Sequence, residues 1–137
     1  MPLVVDASVV LKWVIDEPDS DAAKQLLTED ALMAPDLLFV ECANSLCMKV
    51  RRGQINSEVA VAAFAAIEAA PITSVTTRSL VAAAQTIALA LKQTAYDSLY
   101  LAVALAERAT FVTADRPFVT AAQTHAHYRE WVRLLEP

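Results

Sequence analysis

The chain has 137 residues, 56% of them hydrophobic, and a formal net charge of −5. That length supports one domain, residues 1–137, with a real core. The apolar content excludes a disordered chain, and the acidic balance argues against a general nucleic-acid binder with a basic surface.

The first element expected is a short buried strand, Leu3-Val4-Val5, ending at Asp6. The opening stretch meets this acid with no basic region ahead of its apolar residues, so it does not read as a secretory signal. A helix follows from Ala7 to Ile15. Asp19 or Ser20 suits the cap of a second helix through Leu27. Leu32-Met33-Ala34 is a weak strand, and Asp36 is placed to cap a long helix through Arg52 that stops at Gly53. Gly53 is the single glycine, which rules out a P-loop and a G-x-G-x-x-G dinucleotide loop. Asn56 or Ser57 opens an alanine-rich helix through Ala69. Ile72 to Val75 reads as a strand, Thr77 as the start of a helix through Leu91, and Asp97 as the start of one through about Arg108. Thr110 to Thr113 is strongly strand-like, Pro117 suits the first turn of a short helix, and Val132 to Leu135 forms a last edge strand. Short apolar strands interleaved with helices give an α/β domain with a mainly parallel sheet. No apolar run reaches the roughly 18 residues that a membrane span needs. Cys42 and Cys47 lie about 140° apart around one helix, cannot bridge each other, and read as small buried hydrophobes in a reducing compartment.

Asp6, Glu41, Asp97 and Asp115 stand out from the other acids. Asp16, Glu17, Asp19, Asp21, Glu29 and Asp30 sit in polar stretches and read as solvated surface. Asp6, Asp97 and Asp115 each suit a helix N-cap. Glu41 does not, because it interrupts an apolar run inside a helix, with no Lys or Arg within one turn. A carboxylate in such a place needs compensation. Carboxylates gathered at strand ends bind hard divalent cations such as Mg2+ and Mn2+, and ligands of parallel sheets sit beyond the carboxyl ends of the strands. A bound ion would be the missing charge for Glu41.

The blocks VVDASVVLKW, APDLLFVECANSL, YDSLYLAVALAERA and FVTADRPF, taken in order, resemble the PIN-domain ribonucleases, and most of all the VapC-like toxins of toxin–antitoxin pairs. The resemblance covers essentially the whole chain. It implies a three-layer α/β/α fold with four or five strands, and a cytoplasmic Mg2+- or Mn2+-dependent endoribonuclease that hydrolyses RNA phosphodiester bonds with a metal-activated water. Asp6, Glu41, Asp97 and Asp115 match the family's acidic quartet, and Ser8 and Thr113 match polar positions beside it. Asp6, Asp97 and Asp115 would hold the principal ion, and Glu41 would bind through water or help hold a second. Some relatives carry a further acid a few residues after the last Asp; here Arg116, Pro117, Phe118 and Val119 follow. The resemblance also implies a homodimer, inhibited by a cognate antitoxin in a heterotetramer or larger assembly.

RNA needs cations on the protein. Lys49, Arg51 and Arg52 form the densest basic run, and Lys12 and Arg116 lie close in sequence to acids of the quartet. His125 and His127 read as surface residues. The helix ASVVLKWVI is apolar on nearly every side, and VAVAAFAAIEAA offers a second apolar surface, so partner contacts are expected around Trp13 and Phe64. Two rival readings are a non-catalytic binding module on the same fold and a metal-dependent phosphatase. A dehalogenase-type phosphatase needs a second Asp two residues after the first, where this chain has Ser8.

Overall fold

The computed structural model describes residues 1–28 and 31–136; Glu29 and Asp30, expected at the surface, lie outside the described residues. The elements are β1 (Leu3–Val5), α1 (Ala7–Val14), α2 (Ser20–Gln25), β2 (Leu32–Pro35), α3 (Leu37–Arg51), α4 (Ser57–Ala69), β3 (Ile72–Val75), α5 (Val81–Leu91), α6 (Ala95–Glu107), β4 (Thr110–Thr113), α7 (Arg116–Gln123) and β5 (Val132–Leu134). Short 3-10 turns extend α2 over Leu26–Thr28 and lead into α5 over Arg78–Leu80.

The five strands form one sheet in the order β3-β2-β1-β4-β5, with every pairing parallel. Val5 stands opposite Val112, which sets the ends of β1 and β4 side by side. Parallel neighbours require crossover connections, and these are right-handed in nearly all proteins. From β1 through β2 to β3 the chain steps one way, which puts α1 to α4 on one face. From β3 through β4 to β5 it steps the other way, which puts α5 to α7 on the opposite face. The packing agrees: α1 lies against α3 and α4, and α5 against α6 and α7. The direction of travel reverses between β1 and β4, so their carboxyl ends flank the topological switch point where such sheets bind ligands.

β1 and the last three residues of β4 are buried throughout, as the central strands of a covered sheet must be. Tyr100 on α6 stacks on Phe111 of β4 at 5.6 Å between ring centroids, and Phe111 meets Phe118 of α7 edge-on at 5.7 Å. All three rings are buried. Each pair adds about 0.5–1.5 kcal/mol beyond the area it hides.

Several helix ends differ from the sequence expectation. Asp36 makes no side-chain cap for α3; its Oδ1 accepts from the Thr77 hydroxyl at 2.9 Å, tying the start of α3 to the segment before α5. Thr77 stands at the N-cap position of the 3-10 turn ahead of α5 but makes no side-chain cap there. The cap of α6 is Thr94, whose Oγ1 accepts from the backbone N–H of Asp97 at 3.1 Å, so Asp97 lies within the first turn and does not start it. Gly53, at φ 72°, closes α3 as expected: its N–H reaches the Val50 carbonyl at 3.0 Å, and the Gln54 N–H reaches Lys49 at 2.9 Å. Lys92 and Arg108 take the same left-handed role after α5 and α6, a conformation that costs a non-glycine residue about 1 kcal/mol. Cys42 is buried but Cys47 is exposed, which corrects the reading of both as core; their offset around α3 sends only one inward.

Candidate active site

Asp6 follows β1 directly, and Asp115 follows β4 by two residues. Because β1 and β4 pair in parallel, both acids emerge at the same end of the sheet. Helix α3 starts at that end, since it follows β2. Helix α6 runs back towards the start of β4, so its first turn, which carries Asp97, lies there too.

Asp6 is held by two hydroxyls. Ser8 Oγ donates to Oδ1 and Thr113 Oγ1 donates to Oδ2, each at 2.5 Å. Backbone N–H groups fix the direction of both: Ala114 donates to Ser8 Oγ at 3.0 Å, and Asp115 donates to Thr113 Oγ1 at 3.1 Å. With an N–H pointing in, each hydroxyl proton is left for the carboxylate. Asp6 also caps α1 through a longer bond from the Val9 N–H at 3.3 Å, and Asp115 caps α7 by accepting from Phe118 N–H at 3.1 Å. The capping role expected of these two acids is thus real and coexists with their convergence. Glu41 receives the hydroxyl of Tyr100 on Oε1.

Burial pushes the Asp6 carboxyl up to about 6 from its ordinary 3.8. The bonds from Ser8, Thr113 and Val9 act the other way, and the negative charge of Asp97 adds to the rise. Glu41 is also raised, first by burial and then by Asp97, against the pull of the Tyr100 hydroxyl. Asp97 is raised by burial, relieved by Thr94 and pushed further by Asp115. Asp97 is therefore the electrostatic hub, because its charge interacts with each of the other three acids. Among the described residues, no Lys or Arg forms an ion pair with any of the four.

The donor set is all carboxylate and hydroxyl oxygen, which suits a hard cation and not a thiophilic one. Among the described residues, no three Asp, Glu, His or Cys side chains form a ready-made coordination cluster. Mg2+ keeps several waters in its shell, so an ion here would be held partly through water. Cys42, behind Glu41 on α3, has its thiol pushed up to about 12 by burial and then by the charges of Glu41 and Asp6, so it stays protonated and inert.

The remaining candidates are scattered. Lys12 pairs with Glu17 at 3.2 Å and Asp19 at 3.0 Å, clipping the turn between α1 and α2. Arg116 is exposed in the first turn of α7, next to Asp115; Arg51 and Arg52 are exposed and Lys49 half-buried at the far end of α3. Trp13 and Phe64 line separate grooves on the two flanks of α4. Trp13 and Val14 face Ala63 and Ala66, whereas Phe64 lies with Ala43, Leu46 and Cys47 of α3. The Trp13 indole N–H is already spent on the Ala23 carbonyl at 2.8 Å. His127 is exposed, but His125 is half-buried and stacks on Tyr128 at 4.6 Å.

Sequence reasoning missed Tyr100. The signal was present: it lies one helical turn after Asp97, on the same face, and a buried phenol needs an acceptor.

The family model of the PIN domain matches residues 3–123. The chain belongs to the PIN-domain family. Solved structures with this fold include PAE2754 from Pyrobaculum aerophilum, with a TM-score of 0.71 at 20% identity over 88% of this chain and 79% of that one. Another is VapC20 from Mycobacterium tuberculosis, a toxin that cleaves the sarcin–ricin loop, with a TM-score of 0.67 at 18% identity over 87% and 94%. A third is VapBC2 from Rickettsia felis bound to a DNA fragment from its promoter, with a TM-score of 0.69 at 12% identity over 99% and 100%. No match was found among curated protein sequences. No helix among the described residues is long and apolar enough to cross a membrane.

Proposed function

We propose that this PIN-domain protein is a Mg2+- or Mn2+-dependent endoribonuclease, the toxin of a toxin–antitoxin pair. The observation that carries the reading is the gathering of four acids at the switch point: the charge of Asp97 acts on Asp6 and Glu41, that of Asp115 acts on Asp97, and neutral hydroxyls donate to Asp6 and Glu41. Burial, and then a neighbouring carboxylate, disfavours the charged forms of Asp6, Glu41 and Asp97 unless a cation joins them. An ion held there would neutralise the phosphate, lower the pKa of a water and stabilise the leaving oxygen.

In this reading Asp6, Asp97 and Asp115 hold the principal ion, and Glu41 binds through water or helps hold a second. Ser8 and Thr113 lock the Asp6 carboxylate so that no rotamer search precedes binding. No side-chain nucleophile is needed. Arg116 is best placed for a phosphate next to the acids, while Lys49, Arg51 and Arg52 suit phosphates further along the RNA. Lys12 would have to leave two acids to contribute, so its part is to brace the turn after α1.

The family match supports a nuclease, and two of the structural neighbours are named as a toxin and a toxin–antitoxin complex. The partners proposed are RNA, a second copy of the chain and a small inhibitory protein that contacts Trp13 or Phe64 and offers a cation to the acids. Exposed Val40, Val61, Val81, Leu89 and Tyr96 support protein-covered surfaces. Controlled expression followed by sequencing of RNA ends tests the reading. New ends at a restricted set of sites, absent from Asp97→Asn, support it. A pattern identical to that variant overturns it.

A further inference from the structure

We propose that Tyr100 is a positioning residue for this centre: its buried phenol fixes the Glu41 carboxylate relative to Asp97. The inference rests on the proposed cation site and assigns the part of a residue that touches neither metal nor RNA.

Glu41 is a long side chain on α3, and α3 packs on the opposite layer from α6. Left alone, such a chain samples many rotamers and binds an ion weakly on average. Tyr100 removes that freedom. Its hydroxyl donates to Glu41 Oε1, and the residue is 1% exposed, so the phenol has no water to turn to in place of the carboxylate. The ring itself is clamped by the stack on Phe111, which Phe118 braces from the side. Tyr100 lies one turn from Asp97 on the same helix, so α6 delivers both an acid and the donor that steers a second acid. The chemistry of the donor matters as well. A Lys or Arg here would compensate Glu41 by cancelling its charge, whereas a neutral phenol offsets part of the desolvation and leaves the negative charge available to a cation. Groups that orient metal-binding carboxylates commonly change metal affinity by about tenfold or more when removed.

A double-mutant cycle read by calorimetric titration with Mn2+ tests this. The proteins are the parent chain, Tyr100→Phe, Glu41→Gln and the double variant, each checked for folding by its melting curve in EDTA. Tyr100→Phe removes one oxygen and keeps the ring stack. It should weaken Mn2+ about tenfold in the parent and have no effect in the Glu41→Gln background. Equal weakening in both backgrounds would show that the phenol acts structurally and not through Glu41. Parental affinity for Tyr100→Phe alongside weak binding by Glu41→Gln would also overturn the proposal, while leaving the cation site standing. Parental affinity for Glu41→Gln would instead remove Glu41 from the site itself. If Tyr100→Phe does not fold, Glu41→Asp keeps the charge but draws it back from the phenol. That variant should show the same loss, and undiminished binding would refute the role.

Discussion

Replacing Asp6 with Asn should stabilise the metal-free fold at neutral pH while abolishing cleavage. In the folded chain the Asp6 carboxyl is raised from 3.8 to about 6, chiefly by burial. Each unit is worth about 1.4 kcal/mol, so the ionised form costs the fold about 3 kcal/mol above pH 6. Asn removes that cost and serves equally well as an N-cap for α1. It offers one acceptor where the carboxylate offered two, so one of the two 2.5 Å bonds from Ser8 and Thr113 is lost or must reverse, at about 1 kcal/mol. The net gain is about 2 kcal/mol, or roughly 7 °C in Tm for a chain of this size. The sign follows from the raised pKa: the folded state binds the extra proton between 3.8 and about 6. The contribution of Asp6 to stability is complete below 3.8 and is lost as pH rises through 6. Melting curves of parent and variant in EDTA should therefore diverge most at pH 7 and converge near pH 4. A variant less stable than the parent at pH 7, or a gap that does not change with pH, would show that ionised Asp6 does not cost the fold.

Mg2+ or Mn2+ should raise the parent's Tm, since a ligand bound only by the native state adds about 2.7 kcal/mol at 100 times its Kd. Glu41→Gln should shrink that response, and an unchanged response would show that Glu41 does not feel the ion. Asp97→Asn should lower the Asp6 pKa in the metal-free protein, because one upward influence on it is gone; carboxyl NMR titration reads this, and an unmoved Asp6 would remove Asp97 from the hub. Lys92→Gly should stabilise the fold by a few tenths of a kcal/mol by relieving the left-handed residue after α5. Denaturant midpoints check it, and a loss would mean the Lys92 side chain makes a compensating contact.

Most of the scaffold was legible because the strands are short, apolar and well separated by helical stretches. Leu3–Val5, Ile72–Val75 and Thr110–Thr113 all read as they stand. The four acids were legible for a different reason: each breaks a pattern, at a strand end or inside an apolar run. Long-range pairing was not legible. Nothing local says that Asp36 takes its hydroxyl from Thr77, 41 residues away, or that Glu41 takes one from Tyr100. Thr94 is a weaker local cap signal than Asp97, three residues on. The surfaces were harder still. Helix α4 is so rich in alanine that no periodicity separates its flanks, so Trp13 and Phe64 read as one region although they border two grooves.

The proposed activity depends on the acids around Asp97 making a cation-dependent site that cuts RNA. The most direct measurement is RNA cleavage by purified parent and Asp97→Asn proteins in Mn2+, with each protein's Tm recorded on the same preparation. The parent should cleave RNA and stop in EDTA, and the variant should not cleave while melting at or above the parental temperature without metal. A folded Asp97→Asn protein that cuts at the parental rate, or parental cleavage that survives EDTA, would contradict it.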